Sequence, residues 1–259
     1  MDKLTSELMR LYLLPDSPAA QALAQRRDGG ACAPVDLVSP DGLTRAIALP
    51  FRKAAGTDTG HWERLCTVAN GLQADFGFPA PAVSVASAGG YVLWLSLTAP
   101  VSVAEARRFV AGLERTWPDT LPSAGAVGIP VELPPCLNGA TGHWAAFIHP
   151  GMGASFADET GLDMAPPVAG QVAFLDGLDS ITDEQFREAL DRLAPAQPAP
   201  VAQRSEAAAP PRRDDGIPDG LLLKDATLDD IVRFLHARNI EPTFRHVLPR
   251  RAMHRKSRS

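Results

Sequence analysis

Three small groups of residues in this 259-residue chain have types and spacings that suggest chemistry. The first is the stretch Arg45–Lys53, "RAIALPFRK", in which an alternating run ends in Pro50 and is followed by Phe51 and two cations, Arg52 and Lys53. A proline cannot donate a ladder hydrogen bond, so the strand is expected to stop there. The second is Cys136, His143 and His149, whose C-x6-H-x5-H spacing matches no usual structural zinc pattern. The third is the loop carrying Asp158, Glu159 and Asp163. It reads first as a solvated acidic loop and second as a place where carboxylates gather around a divalent cation. A fourth feature is charge alone. From Arg245 onward the chain carries Arg245, Arg250, Arg251, Arg255, Lys256 and Arg258 and no acid, with His246 and His254 among them. Such a segment suits phosphate contact, docking on an acidic partner, or a solvated terminus.

The totals bound these possibilities. The formal charge is −5, so the chain lacks the global basic character of many nucleic-acid binders, and everything before the tail is distinctly acidic. Cys32, Cys66 and Cys136 are odd in number and widely spaced, which indicates neither a disulfide framework nor a zinc knuckle. No apolar run is long enough for a membrane span, and the start, "MDKLTSELMRLYLLPDSP", has the charges of an amphipathic helix and no cleavage site. The expected location is cytoplasmic.

The elements that must position these residues follow from periodicity. A helix is expected over 3–14, then a hairpin over "VDLVSPDGLTRAIAL" with a type I turn at "SPDG". A helix over 59–76 places Trp62, Leu65, Val68, Leu72 and Phe76 on one face. "AVSVA", the glycine turn "SAGG" and "YVLWLSL" form a second strand pair. A helix follows, opened by the Ser102/Glu105 capping box. "VGIPVELP" and "HWAAFIH" read as two more strands around the loop "PCLNGATG". "GQVAFLDGL" reads as a short helix or turn, and the last helix has a Thr182/Gln185 cap. Residues 194–211 hold five prolines and seven alanines and read as a linker. The expected organisation is a domain over 1–193, a linker over 194–218 and a short helical segment with the basic tail over 219–259.

This order of elements, with "SPDGLTRAIALPFRK", "SVASAGGYVLWLSLTAPVSVAEARRF", "GIPVELPPCLNGATGHWAAFIHP" and "GQVAFLDGLDSIT", resembles the archaeo-eukaryotic primase-polymerase superfamily over roughly residues 35–190. Within it, the primase domains of the TOTE conflict-system type are closest. The resemblance implies an α+β fold: an RNA-recognition-like antiparallel or mixed sheet with packed helices. It also implies a two-metal site of three aspartates and a nucleotide-contacting histidine. On this sequence those positions fall on Pro50 and Arg52 for the first two aspartates, Val92 for the histidine and His149 for the third aspartate. Every one is substituted, so the resemblance implies a primase-like subunit with no catalytic residues, no metal and no cofactor.

Such a subunit would bind DNA or RNA, or a protein partner in a multi-subunit mobile-element, defence or replication complex. Arg45, Arg52 and Lys53 would serve with the basic tail, and Arg107 and Arg108 would line the cleft or be merely solvated. Two other readings stay open: a divergent primase or nucleotidyltransferase using carboxylates such as Asp158 and Asp163, and a pure interaction module that pairs with an active primase.

Overall fold

The computed structural model describes residues 2–25, 33–52, 60–121, 124–157 and 161–194. Lys53, Asp158, Glu159, most of the linker and the whole of the basic tail lie outside the described residues. So do the expected domain over 219–259 and residues Arg245, Arg250, Arg251, Arg255, Lys256 and Arg258.

The fold is α+β. Helices α1 (Lys3–Tyr12) and α2 (Pro18–Ala24) precede β1 (Leu43–Phe51). Then come α3 (His61–Phe76), β2 (Ala82–Val85), β3 (Tyr91–Ser102) and α4 (Val103–Thr116). The chain continues through β4 (Cys136–Leu137), β5 (Trp144–Ile148), α5 (Val168–Asp176) and α6 (Asp183–Arg192). The strands form one five-stranded sheet in the order β1-β3-β2-β5-β4, and every ladder between them is antiparallel.

Strand alternation divides the core in two, because successive side chains leave opposite faces of a strand. On one face Ile47, Leu49, Leu93, Leu95, Val83 and Ile148 meet the apolar stripes of α3, α4 and α6, through Leu65, Val68, Phe109, Leu113 and Phe186. On the other, Ala46, Ala48 and Ala82 are small enough to admit α1. Leu8, Leu11 and Tyr12 of that helix pack there on Trp94 and Phe147, with the Tyr12 and Trp94 rings 5.2 Å apart. Trp94 is fully buried, and its indole N–H donates to Ser84 Oγ at 2.9 Å, which satisfies that donor inside the core.

Three sequence expectations need correction. β1 does not stop before Pro50. Pro50 pairs with Val92 inside the ladder, which an edge strand tolerates because the missing N–H faces no second neighbour. The turn at Ser39–Gly42 forms, with Gly42 N–H donating to Ser39 O at 2.9 Å. Its expected first strand does not: Val35 instead makes an isolated bridge to Val131, far along the chain. For the same reason "VGIPVELP" contributes that one bridge and no strand, and β4 forms in the stretch expected to be a loop. Helix α2 was not foreseen. Ser17 caps it by accepting the Ala20 N–H, and Pro18 occupies its first turn, where a missing N–H costs nothing.

Candidate functional site

Among the described residues, helices cover the α1 side of the sheet only in part. Further along the same face, Pro50 of β1, Ser84 of β2, Val92 of β3 and Ala145 of β5 line a cleft of about 470 Å³. That volume lies within the usual range for a small-molecule site. Arg52 stands where β1 ends, and the opposite wall is the segment Ala126–Glu132. The walls are mostly apolar, and Arg52 and Glu132 supply charges of both signs.

The glycine turn between β2 and β3 sets the mouth of the cleft. Ala86 N–H donates to Gly90 O at 3.0 Å, and both Gly89 and Gly90 have positive φ, 88° and 85°. At Gly90 the requirement is steric as well. A Cβ there would lie 2.5 Å from Phe51 O and 3.1 Å from Arg52 Cα, so only glycine lets the turn pass beneath the end of β1.

Glu132 is held in place by donors. Ser87 Oγ donates to its carboxylate at 2.6 and 2.7 Å, Ser87 N–H at 3.3 Å, and Asn138 Nδ2 at 2.8 Å. Asn138 Nδ2 also donates to Ser87 Oγ at 2.9 Å, and Thr141 Oγ1 donates to Ser87 O at 3.2 Å. A serine beside a carboxylate is one ingredient of nucleophilic catalysis. Ser87, however, is fully buried and does not line the cleft. The network therefore clamps the loop carrying Glu132 and Asn138 onto the glycine turn and fixes one wall. Sequence reasoning missed Ser87, Glu132 and Asn138. The available signal was a lone acid inside the apolar run "GIPVELPP".

The structure brings together three of the four positions that the resemblance singled out. Pro50 and Val92 are cross-strand partners, and Arg52 stands with them in the cleft. His149 is apart. It follows β5 at the end that pairs with Val83, four residues beyond Ala145, or about 13 Å along an extended strand. There its Nδ1 accepts the Gly151 N–H at 3.1 Å and caps the short 3₁₀ helix Pro150–Phe156.

Arg45 stands seven positions before Arg52, about 23 Å along extended chain, and lies on a different surface. Arg107 is exposed on α4 and donates from Nε and Nη2 to Val127 O at 3.2 and 3.1 Å. Arg108 is exposed, and neither arginine lines the cleft. Tyr91 is buried, donates its hydroxyl to Gly153 O at 2.6 Å and offers no open ring for a base to stack on.

Cys136 is buried at the β4–β5 ladder, and His143 Nε2 lies 3.5 Å from the Asp163 carboxylate. Among the described residues no group of three His, Cys, Asp or Glu could hold a metal ion, and no helix is long and apolar enough to cross a membrane. Neither a scan against protein-family profiles nor a search of curated proteins finds a match to this chain.

Proposed function

We propose that this chain is a primase-polymerase-like subunit without catalysis that holds nucleic acid, or docks a protein partner, within a larger nucleoprotein complex. One observation carries the reading. Pro50, Arg52 and Val92, picked out by sequence resemblance alone, meet in a single cleft of the sheet. Polymerisation of nucleotides needs carboxylates there to hold divalent metal, activate the attacking hydroxyl and neutralise the leaving pyrophosphate. A proline supplies no ligand, and a guanidinium repels the cation. One misplaced unit charge at 4 Å is worth about 1 to 4 kcal/mol at effective dielectrics of 80 to 20, and a divalent ion doubles it. Arg52 offers the opposite service: a planar fork that takes a phosphate oxygen directly. The basic residues from Arg245 onward would add salt-dependent phosphate contacts.

The experiment uses the full chain. Template-dependent incorporation of labelled nucleotide is measured with Mg²⁺ and with Mn²⁺, and binding of a single-stranded oligonucleotide is followed by anisotropy over a range of salt. The expected result is no incorporation, together with binding that weakens steeply with salt. Binding should also fall for Arg52→Glu and for truncation after residue 244. Incorporation that persists through purification to homogeneity would overturn the loss of catalysis. Binding unaffected by either change would remove the nucleic-acid role. Release of a co-purifying protein by the truncation would then identify the interaction-module reading as the correct one.

A further inference from the structure

At the far end of β1 from the cleft, the β1–β3 register breaks between Thr44 and Ala46, and Arg45 sits at the break. Its Nη2 reaches the Leu97 and Thr98 carbonyls only at 3.4 Å, the long limit of a hydrogen bond. Its Nε is buried and, among the described residues, finds no acceptor. Among the described residues no carboxylate forms an ion pair with it. Burial, and then the positive charge of Arg10, hold its pKa below the ordinary arginine value.

Arg10 is anchored separately. Its Nη2 and Nη1 donate to Leu175 O and Leu178 O at 2.9 and 3.2 Å, and its Nε donates to Glu7 at 2.6 Å. Both arginines line one open depression of about 710 Å³, with Thr98, Asp179, Ser180 and Gln185 around them. Asp179 is exposed and makes no ion pair with either arginine, and the nearby Asp183 is paired with Arg187 at 2.9 Å. The N-cap of the ten-residue helix α6, Thr182, also lines the depression, but its capping box with Gln185 is closed and Asp183 and Glu184 occupy the first turn, so an anion would be held by the arginines and not by the helix end.

Arg10 has Glu7 as its counterion, whereas Arg45 has only two long contacts to neutral carbonyls, an orphaned donor and, among the described residues, no counterion, so its arrangement is incomplete. We propose that this depression is a phosphate-binding site, with Arg45 as the principal contact and Arg10 as the second positive charge. A guanidinium fork matches carboxylate and phosphate alike. A pair of them favours the anion with more than one negative charge and more than two acceptor oxygens. The site does not rest on the primase-like reading, because it lies on a different surface from the cleft at Arg52.

The test titrates the full chain with inorganic phosphate by calorimetry, then with a 5′-mononucleotide and an oligothymidylate of about twelve nucleotides. Saturable phosphate binding should weaken about tenfold or more in Arg45→Gln, the loss expected for one charge-assisted hydrogen-bonding partner. Arg45→Lys should retain part of it, and Arg108→Gln, an exposed arginine that lines neither the cleft nor the depression, should leave it unchanged. Arg10→Gln carries the same expectation and decides the matter if Arg45→Gln does not fold. If the oligonucleotide weakens in the same variants, the phosphate belongs to a nucleic-acid backbone. If only inorganic phosphate and the mononucleotide weaken, it belongs to a small phosphorylated molecule. Phosphate affinity equal in native chain and variants, or no saturable binding at millimolar phosphate, overturns the site. An effect of Arg52→Gln on the oligonucleotide alone reports on the cleft, so the two readings fail separately.

Discussion

Replacing Glu132 by alanine should destabilise the protein far more than its half-buried, loop-borne position suggests. The carboxylate accepts from Ser87 N–H, Ser87 Oγ and Asn138 Nδ2. Ser87 is fully buried, so its two donors cannot turn to water when the carboxylate goes, whereas Asn138 is partly exposed and can. One orphaned buried donor costs about 1–3 kcal/mol, so two in the same residue predict a loss of about 2–6 kcal/mol. Glu132→Gln keeps the shape but presents an NH₂ group to a set of donors, and should cost about 1–3 kcal/mol. Urea titration of the full chain, followed by tryptophan fluorescence, measures both. In a double-mutant cycle, Ser87→Ala with Glu132→Ala should cost less than the sum of the single changes, with a coupling of about 0.5–3 kcal/mol. A loss for Glu132→Ala within about 0.5 kcal/mol, the range of an ordinary surface change, would refute the clamp.

Two further predictions concern the glycine turn at the mouth of the cleft and the cap of α4. Gly90→Ala combines a positive φ with a Cβ 2.5 Å from Phe51 O, and should cost on the order of 2–5 kcal/mol in the same titration. Gly77→Ala, at φ 64° with open space around it, should cost only about 1–2 kcal/mol, so equal losses at the two glycines would argue against the close approach at Phe51. Ser102→Ala removes the cap of α4 and should cost about 0.5–2 kcal/mol at neutral pH. Hydrogen bonds from Ser102 hold the Glu105 carboxyl below its ordinary value of 4.5, so that stabilisation is present above 4.5 and is lost as pH falls through the lowered folded value. The gap between native and variant should therefore narrow in acid, and a gap that widens below pH 4.5 would contradict the capping box.

What the sequence made legible was local. The capping boxes at Ser102/Glu105 and Thr182/Gln185, the turn at Ser39–Gly42 and the glycine turn before Tyr91 each depend on residues two to four apart, and all are present. What stayed hidden depends on distant partners. Val35 pairs with Val131, so a stretch that alternates like a hairpin strand is committed elsewhere. Pro50 stays in its strand because β1 lies at the edge of the sheet, and edge position is a property of the whole topology. The cleft was half legible. The substitutions at Pro50, Arg52 and Val92 stood out against a resemblance, whereas Ser87, Glu132 and Asn138 become a group only when the β4–β5 region folds back on the glycine turn. The separation of Arg45 from Arg52 follows from the extension of one strand between them, which composition does not convey.

That extension has a consequence of its own. Between the register break at Arg45 and the strand end before Arg52, β1 is paired with β3 from Ala46 to Phe51, so the two arginines are joined by a stiff bar and not by a hinge. The bar is a ruler of about 23 Å. Because the two arginines lie on different surfaces, a polyanion that engages both must cover at least that distance, which at 3.4 Å per nucleotide, the rise of a strand in duplex geometry, is about seven nucleotides or more. Shorter pieces can occupy one end or the other but gain nothing from the second. Affinity against oligonucleotide length should then show a step at the span of the ruler, since a second contact made on the same molecule is governed by effective concentration.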